Sequence, residues 1–117
     1  MSGVSIVPPG HKEGEWYASQ AAEAAKQVRT GKGVLHSLYV FNVQATVRYL
    51  WVYDNTAASG TVLMGPFEVP SLKGVSIESL TGNPFDTGLH VASSTSGAAF
   101  VAGGADFFIT AGIVRRS

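Results

Sequence analysis

The sequence predicts an all-β protein: a jelly-roll-like β-sandwich with an extended N-terminal arm. Three observations carry that expectation. The segment GVLHSLYVFNVQATVRYLWVYD (33–54) holds two runs rich in β-branched and aromatic residues, separated by a polar break. Such residues fit a pleated, packed surface. Further short apolar runs follow at roughly even spacing, punctuated by Gly, Pro, Asn and Asp, the pattern of a sandwich or jelly roll. Glycine is frequent, 14 of 117 residues, as many tight turns require.

A chain of 117 residues is one domain and buries roughly two-thirds of its unfolded surface on folding. Residues 1–14 read as the arm and residues 15–117 as a single sandwich domain. With no Cys, a disulfide framework and a thiolate metal site are excluded. The start, MSGVSIVPPG, lacks the basic and apolar regions of a secretory signal, and no run approaches the ~20 apolar residues of a membrane span. Synthesis in the cytosol, with no membrane partner, is the expectation. Net charge is zero and charged residues make up 14% of the chain, against about 25% in an average soluble domain. So few charges keep a free monomer poorly soluble and suit a surface covered by neighbours. Without an excess of Lys and Arg the chain is not built to neutralise phosphates, which argues against nucleic acid.

Within the arm, Pro8-Pro9-Gly10 favours an extended, polyproline-like path. Val4, Ile6, Val7, Pro8 and Pro9 are therefore candidate contacts to another chain. Trp16 and Tyr17, beside the arm, join them, because aromatic residues are enriched at interfaces. The stretch Glu15 to Arg29 is ambiguous. Its Ala-rich composition favours a helix, and Glu15 and Glu23 near its start with Lys26 and Arg29 near its end suit a helix dipole. A strand is the competing reading, since tertiary context overrides propensity.

Val34 to Val43 and Val47 to Tyr53 are the two central strands, with 42–46 as the break. Val34, Leu38 and Val40 are expected on one face of the first, and Leu35, Tyr39 and Phe41 on the other. Strands apolar on both faces belong at the centre of a sheet covered on both sides, by a second sheet or by a partner chain. Trp51 or Tyr49 is accordingly expected inside. Residues 54–60 form a turn and Thr61 to Met64 a short strand. Gly65-Pro66 and Pro70-Ser71 bracket Phe67 to Val69. Gly74 to Leu80 alternates, with Val75 and Ile77 on one face. Residues 81–84 (TGNP) read as a turn, Gly88 to Ser93 as a strand and 94–99 as an exposed loop. Ala105 to Val114 closes the sheet with Phe107, Ile109, Ala111 and Ile113 in register.

The search for chemistry yields little. His11 lies in the arm, and His36 and His90 in strands far apart in sequence, with no carboxylate at a ligand spacing. Asp54, Asp86 and Asp106 fall at turns or strand edges, where Asp commonly bonds backbone. No Ser has a nucleophile-elbow context, and no Gly-rich loop precedes a helix. No catalytic, cofactor-binding or metal-binding residue is expected, and no cofactor. Trp16, Tyr17, Tyr49, Trp51 and Tyr53 allow a sugar platform, though core packing accounts for the strand aromatics more simply.

Three pieces read together, GVLHSLYVFNVQATVRYLWVYDN (33–55), NPFDTGLHVASSTS (83–96) and GADFFITAGIV (104–114), resemble a diffuse family of small tailed-bacteriophage virion proteins. The resemblance spans roughly residues 15–114. It implies a β-sandwich virion component similar to capsid decoration or cement proteins, and it favours the extended reading of residues 18–29. The expected role is a non-enzymatic capsid decoration protein, made in the host cytoplasm and carried on the virion surface. Its expected partners are the major capsid protein and copies of itself, as a dimer or trimer. The alternative is a receptor- or glycan-binding module of a phage tail or head fibre. The resemblance brings no catalytic residue with it.

Overall fold

The computed structural model describes residues 4–6 and 14–115. These residues contain nine strands and no helix. The strands are β1 (Val4–Ile6), β2 (Gly14–Ala18), β3 (Ala25–Thr30), β4 (Gly33–Asn42), β5 (Arg48–Tyr53), β6 (Val62–Val69), β7 (Gly74–Phe85), β8 (Gly88–Ser94) and β9 (Phe107–Arg115). They form a five-stranded sheet in the order β1-β2-β9-β4-β7 and a four-stranded sheet in the order β3-β8-β5-β6. Every pairing is antiparallel. The chain changes sheet at every connection except β1–β2 and β5–β6, which welds the two sheets into one sandwich.

The core lies between the sheets. Leu35, Leu38 and Val40 of β4, with Phe107, Ile109, Ala111 and Ile113 of β9, face Leu50 and Val52 of β5 and Leu89 and Val91 of β8. Phe85, Val69 and Tyr17 close its margins. The register expected of β9 holds, because alternate residues of a strand share a face. That of β4 does not. Leu35 shares the inner face with Leu38 and Val40, three and five positions on. The pairings Leu35↔Ile113 and Ser37↔Gly112 leave His36 as an extra residue on β4, and a bulge of one residue reverses the facing.

Similar irregularities lengthen two strands beyond the turn signals. β7 continues through 81–84, which read as a turn, so that Phe85 reaches the core. Its slack is taken up between Glu78 and Asn83, whose partners on β4 are Ser37 and Leu35. β6 runs unbroken through Gly65-Pro66. The pairs Leu50↔Phe67 and Val52↔Met64 put one extra residue there, and Pro is tolerated at a bulge in an edge strand. Gly65 has φ +99°, and a Cβ on it would come within 2.7 Å of the Leu50 carbonyl; only Gly fits.

The ambiguous stretch Glu15 to Arg29 is extended, as two strands in different sheets. Its most Ala-rich part spans the crossover and the start of β3. Six residues between β2 and β3 leave no room for a stable helix. Of the expected arm, Val4–Ile6 is an edge strand paired with β2 of its own chain and Gly14 opens β2 itself. Val7, Pro8 and Pro9 lie outside the described residues.

Candidate functional site

A sandwich has two outer faces, and here they differ. On the four-stranded sheet, Tyr49, Trp51 and Tyr53 point away from the core, alternating with buried Leu50 and Val52. The segment joining β8 to β9 folds back over them. Phe100 meets Trp51 and Tyr53 edge-on at centroid distances of 6.1 and 6.0 Å, and those two rings stack at 6.2 Å. The Trp51 indole N–H donates to the Ser96 carbonyl at 3.3 Å, and Gly97 sits so close to the Tyr49 ring that a Cβ would come within 2.8 Å of it. Tyr53 is thereby only 3% exposed although it lies on an outer face. Neither Trp51 nor Tyr49 lies between the sheets, as was expected of one of them. Leu50 and Val52 take those places.

The outer face of the five-stranded sheet has no such cover among the described residues. Three rows of residues cross its strands. One holds Phe108, Phe41 and Gly74; the next Ala18, Thr110, Tyr39 and Ser76; the third Trp16, Gly112, Ser37 and Glu78. Directly opposed residues of paired strands share a face. Trp16, Tyr39 and Phe108 are 47, 43 and 40% exposed, and only Glu78 in these rows is charged. Beside Trp16 lies a shallow recess of about 160 Å³, bordered by Glu15, His36, Ser37, Gly112 and Val114. A Cβ on Gly112 would meet the Ser37 hydroxyl at 2.8 Å and the indole of Trp16 at 3.2 Å. Glycine is thus needed for the indole to lie where it does.

The polar groups hold the fold together. Asp106 is fully buried, and its Oδ2 accepts from Arg48 Nε at 2.9 Å, Ser93 Oγ at 2.6 Å and the Gly104 N–H at 3.1 Å. Burial works against its charge, but the Ser93 hydroxyl, the Arg48 guanidinium and the Gly104 N–H outweigh it and hold the carboxyl below its ordinary value. Its Oδ1 has no protein partner. The Asp54 carboxylate accepts the N–H groups of Asp86, Thr87 and Gly88 at 2.8 to 3.3 Å, tying the β5–β6 turn to the β7–β8 turn. Asp106 bonds its own turn at Gly104, as expected of an Asp there, and residues remote in sequence as well, whereas Asp54 binds the remote β7–β8 turn where local bonding was expected.

Of the candidate interface residues, Trp16 is on the surface and Tyr17 is inside. Tyr17 donates its hydroxyl to the Glu23 carboxylate, at 2.6 Å from Oε2, and Lys26 Nζ lies 5.1 Å from its ring centre. Burial and then Glu23 push the Tyr17 hydroxyl up to about 12. His36 borders the recess of one sheet, while His90 lies on the other and shares a 2.9 Å hydrogen bond with Gln27. Burial lowers the His90 pKa. Among the described residues no cluster of three or more His, Cys, Asp or Glu is placed to hold a metal ion. Sequence reasoning missed Tyr39, Phe41 and Phe108 as surface residues, because apolar strand residues read the same whichever face they occupy. Comparison with protein-family models, with curated proteins and with solved structures finds no match.

Proposed function

We propose that this chain is a non-enzymatic structural protein of a bacteriophage virion, a capsid decoration protein that stabilises the head by binding the major capsid protein. The observation that carries the reading is the outer face of the five-stranded sheet. It presents Trp16, Tyr39 and Phe108 in a chain of zero net charge, while the opposite face is closed by the chain's own loop. Exposed apolar patches of this kind mark interaction surfaces. The resemblance of 33–55, 83–96 and 104–114 to small virion proteins supplies the class of assembly.

We also read the sandwich as a jelly roll. The orders β2-β9-β4-β7 and β3-β8-β5-β6 are those left when two Greek keys fold across two sheets, an architecture used in viral capsid domains. A fold alone does not assign a role, so the open face stays the primary argument. The mechanism is stapling: many copies, each adding a modest interface, raise the free energy needed to part the capsomers.

The test is a particle lacking this protein. It should assemble with normal geometry, burst at a lower temperature or milder osmotic shock, and adsorb to host cells as before. A particle of normal stability that fails to adsorb would overturn the proposal in favour of a fibre module that binds a receptor or glycan.

A further inference from the structure

We propose that Leu72, in the turn between β6 and β7, is an anchor of the capsid contact, its side chain entering an apolar pocket on the capsid protein. The inference rests on the proposed function and names a point of attachment within it. Leu72 has φ +55°, in the left-handed region. Among the described residues it is the only one other than glycine with a positive φ; the other four such positions hold Gly31, Gly60, Gly65 and Gly82. A Cβ makes that conformation costly, so Gly is its ordinary occupant, with Asn next. A bulky residue there is an outlier. Packing within the fold does not offset the strain. Leu72 is 59% exposed, more than Trp16, Tyr39 or Phe108, and it takes no part in the core.

The turn is held in this shape from beneath. Asn42 is fully buried. Its side-chain amide donates to the carbonyls of Thr46 at 2.9 Å, Val69 at 3.1 Å and Pro70 at 3.3 Å, and its backbone N–H to the Lys73 carbonyl at 2.9 Å. Both ends of the turn are therefore fixed, at Pro70 and at Lys73, with Ser71 and Leu72 between them. A strained residue persists only where its surroundings over-determine it, and such residues cluster where a protein clamps a ligand. A turn already fixed loses little freedom on binding, which favours affinity. Gly74, at the foot of the turn, pairs with Phe41, and a Cβ on it would collide with the Tyr39 ring. The turn thus adjoins the end of the open face that carries Phe41 and Phe108.

Magnitudes choose the kind of partner. Burying one leucine side chain strengthens binding roughly 10- to 100-fold. That is too little to hold the chain on a lipid surface, where even a myristoyl chain binds only marginally. In a protein contact the same side chain adds to the area of the open face beside it, as an aliphatic anchor in a pocket does.

The experiment titrates purified protein onto particles that lack it and measures the melting temperature of the same preparations. Leu72→Asn keeps the turn and removes the apolar side chain. It should melt about 2–5 °C above the wild type, because strain is relieved, and should bind particles roughly 10-fold more weakly or worse. Leu72→Met keeps both the strain and an apolar side chain, and should melt and bind as the wild type does. Val101→Asn removes another exposed apolar side chain, 51% exposed on a different loop, and should leave binding unchanged. A Leu72→Asn variant that melts below the wild type would show that the leucine serves the fold. One that binds particles as well as the wild type would show that the turn makes no contact. Either result overturns the inference and leaves the decoration role standing. If the free wild type sediments as a dimer that Leu72→Asn splits, the pocket lies on a second copy and the capsid contact is wrong. A wild type that does not bind the particles overturns the decoration reading itself, and the anchor with it.

Discussion

The ion pair of Arg48 and Asp106 joins the start of β5 to the entry of β9, and Ser93 brings in the end of β8. Removing one partner of a buried pair is costly, because the other is left uncompensated. The Arg48 side chain is 20% exposed, so part of that penalty is relieved by water. Asp106→Asn should therefore cost about 2 kcal/mol at neutral pH. The folded pKa of Asp106 lies below its unfolded value. Its contribution is complete above the ordinary carboxylate pKa of about 3.9 and is lost as pH falls through the folded value. Urea unfolding of wild type and variant should show a difference that is steady from pH 7 to 5 and shrinks towards pH 2. A constant difference across that range would count against the charge-pair account. Tyr17 has the opposite sign. Its pKa is raised to about 12, so its share of stability is present below pH ~10 and is lost as pH rises through 12. In ultraviolet titration its ionisation should appear only as the pH approaches about 12.

At the level of elements, the strands β4 and β5 share a composition but not an environment. Both are flanked by strands on either side. The inner residues of β5 carry its stability: Leu50→Ala should cost on the order of 3 kcal/mol, as for other fully buried leucines. Trp51 is half-covered by the loop, and its truncation should cost clearly less. Equal losses for the two would contradict the inner and outer assignment. The loop itself is held by Phe100 against Trp51 and Tyr53. Phe100→Ala should cost about 1–2 kcal/mol, since the ring is only half-buried. It should also shift Trp51 fluorescence to longer wavelength as water reaches the indole. An unchanged emission spectrum would show that the loop covers this face without Phe100.

For the molecule as a whole, the described core draws on β2 to β9, while β1 is an edge strand paired with β2. Deleting residues 1–13 should leave a cooperatively folding sandwich with its β circular dichroism signal intact. On the capsid reading the same deletion should lower occupancy on particles, because the apolar segment Val4 to Pro9 is removed. Equal occupancy of truncated and full-length protein would confine the attachment surface to the sandwich.

The class of fold was determined by the sequence alone. Runs such as VRYLWVY and ADFFITAGIV favour a pleated surface wherever they are placed, and strict alternation set the inward residues of β9. Tertiary structure decided the rest, because each remaining choice depends on residues far apart in the chain. The facing of β4 turns on one bulge at His36, visible only against the register of β9. Residues 81–84 carry a turn signal, yet Asn83 and Pro84 pair with β4 and the strand runs on to send Phe85 into the core. Tyr17 and Trp16 are equally aromatic neighbours, and the pleat puts one inside and the other out. The aromatic sets of β4 and β5 read alike as sequence. One is closed by the return of Phe100 and the other is left open, a difference set by a loop 47 residues beyond Tyr53. Burial is a property of what lies opposite a side chain, and what lies opposite is fixed by the packing of the two sheets.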